Sequence, residues 1–263
     1  MNNKLKVENL YFKTILNDIN FNLNPGTITA LMGKSGSGKT VLLKILYGLL
    51  NYSGTITIDN NLVTDKNKED IRKKLGLYLN LNILEENDVY SNLIEPLKNL
   101  DYSQNKIKKN IEEITKRLGI ENLLYKETSS LSYSQKKIVA FAQSIIYEPK
   151  LILIDNLFDS LDTYYKNKII AYFKYLKKTK KVIIVFTTNN KEDLLFSDNL
   201  LVLKSGKLSV SGSVKELIKD ENIFIKNNIK LPFIIDLSYK LKAYQLLDKL
   251  ILDTDEMVEE LWK

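Results

Sequence analysis

A chain of 263 residues with 44% hydrophobic content can bury one large core, or one main domain with a smaller appendage. Cysteine and histidine are both absent, which excludes disulfides, thiolate and imidazole metal sites, cysteine nucleophiles and Ser-His-Asp triads together. Basic side chains (39) outnumber acidic ones (32) for a formal charge of +7, but the lysines lie among acids in runs such as "KNKEDIRKK". They read as solvated faces, so no nucleic-acid partner is expected.

The opening "MNNKLKVENLYF" has no apolar stretch of signal-peptide length, and "VLLKILYGLL" and "KVIIVF" are too short or lysine-broken to span a bilayer. The expected location is cytoplasmic, with no membrane anchor of the chain's own. β-Branched and aromatic content predicts strands at "LKVENLYF", "TITALM", "GTITID" and "LGLYL". Over residues 88–147 the period changes: Ile107, Ile111, Ile114 and Leu118 recur at helical spacing and predict an all-helical insertion. Strands return at "KLILI", "KVIIVF" and "NLLVL", separated by the helical "TYYKNKIIAYFKYLKK". Such alternation predicts an α/β fold with a parallel sheet whose chemistry lies at the strands' C-terminal edge. After a main domain of residues 1–220, "FIKNNIKLPFIIDLSYKL" and the acidic "DTDEMVEELWK" predict a small module over residues 221–263.

Directly after the strand "TITALM" comes "GKSGSGKT", Gly33 to Thr40, and then an amphipathic run, which places G-x-x-x-x-G-K-[ST] between a strand and a helix. Gly33, Ser35, Gly36 and Gly38 let the backbone curl so that its N–H groups surround a phosphate, and the helix N-terminus adds partial positive charge. Lys39 is expected on the β- and γ-phosphates of ATP, with the Thr40 hydroxyl on Mg²⁺. Asp155, delivered by the apolar "LILI", supplies a carboxylate for the same Mg²⁺.

"GKSGSGKT", "LSYSQKKIVAFAQSIIYEPKLILIDNLFDSLD", "KVIIVFTTNN" and "DNLLVLKSGKLSVSGS" resemble, in order and spacing, the nucleotide-binding subunit of ATP-binding cassette (ABC) transporters. The resemblance covers the chain from about Leu5 to Leu217. It implies a P-loop ABC ATPase fold with a mixed sheet core, a helical signature subdomain and a C-terminal dimerisation-type module. It also implies two such subunits paired head to tail, each nucleotide held between one phosphate loop and the other subunit's signature helix. The ending, "NIKLPFIIDLSYKLK" with "LILDTDEMVEELW", is similar to ATPases of energy-coupling factor importers, which take up vitamins and transition-metal ions.

Gly33, Gly36, Gly38, Lys39, Thr40 and Asp155 match the family pattern, and Asp162 matches the aspartate of the loop after the Asp155 strand. Other positions depart. The signature reads Leu131-Ser132-Tyr133-Ser134-Gln135, with a phenol ring in place of the first glycine, although Ser132 and Gln135 also form an ordinary capping-box pattern. Asn156 stands where the family has its catalytic glutamate, and an amide can hold a water but cannot take its proton. Thr188 replaces the switch histidine, where its hydroxyl can still touch a phosphate, and Asn80 replaces the Mg²⁺-sensing glutamine. Tyr11 is the candidate for stacking on adenine, with Thr14 near the expected place in a shortened loop.

The resemblance therefore implies an ATP-binding, hydrolysis-impaired cassette subunit on the cytoplasmic face of the membrane. The expected partners are a second, different ABC ATPase and a polytopic transmembrane subunit. Leu231, Pro232, Phe233, Met257, Leu261 and Trp262 are expected to touch the second ATPase. Alternatives are an ABC exporter of peptide or lipoprotein, which "NDVYSNLIEPL" also resembles, and a non-transport cassette acting as a nucleotide sensor or on DNA or ribosomes.

Overall fold

The structure is a computed structural model that describes residues 4–79 and 84–262. Strand β1 (Leu5–Phe12) turns back into β2 (Leu16–Leu23), which buries Leu16, Ile19, Phe21 and Leu23. β2 was not legible as a strand, because "LNDINFNL" alternates its few apolar residues with Asn and Asp, which disfavour strands. Next come β3 (Ile28–Met32) and α1 (Lys39–Leu46). The chain continues through β4 (Ser53–Ile58), β5 (Asn61–Leu62), α2 (Lys68–Arg72) and β6 (Leu75–Tyr78). A helical segment follows, with α3 (Val89–Asn99), α4 (Gln104–Leu118) and α5 (Tyr133–Ile145). The alternating part comprises β7 (Leu151–Ile154), α6 (Thr163–Tyr175), β8 (Ile183–Thr187), β9 (Asn199–Lys204) and β10 (Lys207–Ser213). Four short helices end the chain: α7 (Val214–Leu217), α8 (Glu221–Lys226), α9 (Phe233–Ala243) and α10 (Thr254–Leu261).

The described strands form two sheets, one ordered β2-β1-β4-β5 and one ordered β10-β9-β3-β8-β7-β6. The second is parallel from β9 through β6 and carries β10 antiparallel on its edge. Strands β1 and β4 are not part of it: they pair antiparallel in the first sheet, so the parallel expectation holds only for β3 and β6 to β9.

Strand alternation explains why the central strands are apolar throughout. Leu151 and Leu153 face α1 and the antiparallel sheet, together with Leu42, Leu43 and Leu46. Ile152 and Ile154 face the opposite way, onto the layer that holds α3 to α6. A strand covered on both faces needs a continuous hydrophobic run, and "LILI" and "IIVF" supply it. On α4, Ile107, Ile111, Ile114 and Leu118 are all buried on one face.

Phe224, Ile234, Ile235, Leu247, Ile251 and Met257 of the C-terminal segment belong to the same core as α3 to α6. This corrects part of the expected partner surface: Leu231, Pro232 and Met257 are buried within the chain. Phe233, Leu261 and Trp262 remain exposed.

Behind β8, Phe186 is fully buried; its ring lies 5.5 Å from Phe158 edge-on and 5.3 Å from Phe196 in a stacked arrangement. Truncating it leaves a cavity bounded by rigid rings. Phe186→Ala is expected to lower stability by about 3–5 kcal/mol, read as a shifted urea midpoint with an unchanged slope.

Candidate functional site

The phosphate loop leaves β3 at Gly33, whose φ of 151° is accompanied by a steric demand. A Cβ there would lie 2.4 Å from the Leu203 carbonyl oxygen. Gly38 is constrained mainly by its φ of 104°, since a Cβ there would come 2.7 Å from Leu16 Cδ2, the end of a side chain that can shift. At Gly36 a Cβ would meet nothing within 4 Å, so the loop is open on that side. No side chain caps α1, which leaves the N–H groups of its first turn to an anion. Lys39 bridges the loop, donating to the Gly33 carbonyl at 2.6 Å and the Lys34 carbonyl at 3.1 Å. Burial lowers its pKa, and the charges of Asp155 and Asp159 oppose that shift.

Asp155 follows β7 at the C-terminal edge of the parallel sheet and is buried. One carboxylate oxygen accepts the Thr40 hydroxyl at 2.7 Å; the other accepts the Thr187 hydroxyl at 2.8 Å. Thr187 in turn accepts the Asn156 N–H at 2.9 Å, so this one hydroxyl joins β8 to the loop after β7. Thr40 and Asp155 thus form a cluster of hard oxygen donors beside the loop, which suits Mg²⁺. Thr187 was missed by sequence reasoning. Its only signal is a hydroxyl residue ending an otherwise apolar strand.

Asn156 has φ of 54°, a left-handed conformation that Asn tolerates better than most residues. Its carbonyl accepts Lys137 Nζ at 3.1 Å, and the same ammonium donates to the Asp159 carbonyl at 2.6 Å. Lys137 is buried in α5, and desolvation lowers its pKa against the opposing charge of Asp159. It too was missed, although a lysine within the apolar run "KKIVAFA" is the kind of residue that needs a specific partner.

Helix α5 begins with a complete capping box. The Gln135 N–H donates to Ser132 Oγ at 3.3 Å, and the Ser132 N–H donates to Gln135 Oε1 at 2.9 Å. Tyr133 is 59% exposed beside this turn, with the Lys137 ammonium 5.4 Å from its ring centre. Ser134 Oγ accepts the Asp162 N–H at 3.2 Å, which ties the helix to the loop after Asp155.

Thr188 does not offer its hydroxyl to the phosphate loop. It donates to Asp193 Oδ2 at 2.6 Å, accepts the Asn190 N–H at 3.0 Å and is buried. The hydroxyl's single donor is thus used within the chain. Tyr11 lies on β1, 44% exposed and paired across to Ser53 of β4. Thr14 is in the β1 to β2 turn, and Asn80 lies outside the described residues. Beside the loop lies a cleft of about 900 Å³, lined by Gly33 to Ser37, which include Lys34, and by Lys191, Lys204 and Lys230. Its cationic wall favours a polyphosphate.

A phosphate loop between β3 and α1, a carboxylate following β7 one strand beyond β8, and a capped helix tied to the loop after that carboxylate define a nucleotide-binding cassette. Residues 16–159 match the family model described as ABC transporter, and the chain belongs to that family. It is 29% identical to the energy-coupling factor transporter ATP-binding protein EcfA1 of Mycoplasma mobile, over 94% of this chain and 90% of that protein. Identity to EcfA2 of Clostridium perfringens is 31%, over 87% and 84% of the two chains. Among solved structures, cbiO1 from Clostridium perfringens, described as part of the ABC transporter complex cbiONQ, has a TM-score of 0.75 at 31% identity. That match covers 89% of this chain and 97% of cbiO1. A dimeric ATP-binding cassette bound to ADP and Pi matches at TM-score 0.71 and 25% identity, over 80% and 98% of the two chains.

Thr187→Val keeps the shape of the strand end but removes both the donor to Asp155 and the acceptor for the Asn156 N–H. The expected loss is about 1–3 kcal/mol, measured by urea unfolding against the unaltered chain.

Proposed function

We propose that this chain is the ATP-binding subunit of an ABC importer of the energy-coupling factor type, and a hydrolysis-impaired half of an asymmetric ATPase pair. The carrying observation is the Thr40 to Asp155 hydrogen bond beside an intact phosphate loop, with Asn156 as the next residue. The names of the relatives favour the importer class, and the described residues contain no helix long and apolar enough to cross a membrane. In this reading a polytopic transmembrane subunit is the partner, and it holds the chain on the cytoplasmic face of the membrane. The transported solute, a vitamin or transition-metal ion, is handled there rather than by this chain. Nucleic acid has no role in this reading.

Loop N–H groups and the α1 N-terminus hold the phosphates of ATP, and Lys39 turns from the loop carbonyls to the phosphate oxygens. Thr40 and Asp155 would hold Mg²⁺, which supplies neutralising charge at the phosphates. Asn156 orients a water without taking its proton, and general-base help is worth about 10²–10⁴ in rate. With Thr188 turned onto Asp193, the γ-phosphate gains no contact from that side either. The site retains nucleotide and splits it slowly.

Pairing two copies would combine two baseless sites with two signatures that carry Tyr133. A different, complete ATPase can instead meet Ser132, Gln135 and the N-terminus of α5 with its own nucleotide. This chain's site then keeps ATP as a long-lived clamp. Exposed Phe233, Leu261 and Trp262 give the C-terminal segment an apolar surface for that second subunit.

Lys39→Ala is expected to weaken Mg-ATP binding at least about 100-fold by calorimetry, since the charged contact to the phosphates is lost; equal affinity overturns the nucleotide reading. The purified chain should turn over ATP slowly, and Asn156→Glu alone should restore little, because catalytic groups that act as a unit are not additive. Vigorous hydrolysis by the unaltered chain overturns the impaired reading. Co-expression with candidate ATPases and native mass measurement should yield a heterodimer, weakened by Phe233→Ser with Trp262→Ser. A stable homodimer that supports transport without a second ATPase would falsify the asymmetric model.

A further inference from the structure

The loop after β8 is held by a buried ion pair that the nucleotide chemistry does not use. Asp193 is 1% exposed at its side chain, and its Oδ1 accepts Lys166 Nζ at 2.7 Å. Its other oxygen accepts the Thr188 hydroxyl at 2.6 Å. Lys166 sits on α6, four residues past Asp162, and its ammonium lies 5.3 Å from the centre of the Phe158 ring. The Asp193 N–H donates to the Asn190 carbonyl at 3.2 Å, and the Asp193 carbonyl accepts Ser197 Oγ at 2.8 Å. Every polar group of Asp193 is therefore engaged.

A carboxylate this buried persists only where its partners are fixed. Two independent partners fix it here, one on α6 and one at position 188. We propose that Lys166 and Asp193 are positioning residues: they latch the segment 188–193 to α6 and keep the side chain at position 188 turned onto Asp193 rather than onto bound phosphate. The latch makes the loss of the switch contact a property of three residues, not of Thr188 alone. It also joins α6, which begins just after Asp162, to the segment running beside the phosphate loop, where the Thr188 N–H donates to the Leu31 carbonyl at 3.2 Å. The inference deepens the impaired-site reading and rests on position 188 being the switch position. Calorimetry on Lys39→Ala decides the nucleotide reading separately.

The chain has no histidine, so Thr188→His introduces a single imidazole that NMR can titrate directly. With the latch in place, that imidazole faces a buried carboxylate and should hold its proton to a pH at least about one unit higher than the same imidazole does once that carboxylate is removed. In Thr188→His with Asp193→Asn, the elevation should vanish. Saturating Mg-ATP should leave the imidazole resonance in place in the single variant and move it in the double variant. An imidazole that titrates at the same pH whatever stands at 193, or one that responds to Mg-ATP in the single variant, overturns the proposal. A second measurement avoids the larger side chain: in Lys166→Met, hydrogen exchange at the Asn190 and Asp193 amides should accelerate at least about tenfold while the Asp155 amide is unchanged. Unchanged exchange at both overturns the latch equally.

Discussion

The structure depends on one shared carboxylate. Asp155 accepts a hydroxyl from Thr40 at the start of α1 and another from Thr187 at the end of β8. These three residues come from separate parts of the chain, and their meeting point is the C-terminal edge of the parallel sheet. Burying a carboxylate there is tolerable because both oxygens are satisfied. The same two hydrogen bonds hold the phosphate loop in register with β7 and β8, so the groups that bind nucleotide are pre-positioned by the sheet.

Around this anchor two further side-chain positions are tied into the fold. At 156 a left-handed Asn has its carbonyl pinned by Lys137, and at 188 a hydroxyl is committed to Asp193. Both positions are held by partners on other elements, Asn156 by α5 and Thr188 by the segment that carries Asp193. Lys137 also joins α5 to the loop after Asp155. It belongs to α5, whose first turn carries Ser132 and Tyr133, yet its ammonium rests on the carbonyls of Asn156 and Asp159. A displacement of that helix is therefore felt directly at the turn beside Asp155. The Asp162 N–H on Ser134 Oγ is a second link between the same two elements.

The C-terminal segment is partly core and partly surface. Phe224, Ile235 and Met257 lie in the same apolar cluster as α3 to α6, so the segment is not an independent unit tethered to the sheet. Phe233 and Trp262 point outward from it. The burial holds the segment in place, and the outward residues leave an apolar surface.

Sequence alone determined the α/β class, the strands that are apolar throughout, the α4 face and the phosphate loop, because each rests on local information. Strand runs without polar residues require burial on both faces, helical spacing of Ile and Leu defines one stripe, and a glycine pattern between strand and helix has few other uses. Strands β2 and β10 escaped, since a half-polar strand at a sheet edge is stabilised by its neighbour more than by its own residues. Thr187, Lys137 and the pair Lys166 and Asp193 were equally illegible. Their partners lie 19 to 32 residues away, and no local period links a hydroxyl or an ammonium to the group it will satisfy. Only the tertiary structure decided that the Thr188 hydroxyl turns onto Asp193, because the direction of a side chain after a strand end is set by which buried charge most needs its hydrogen bond.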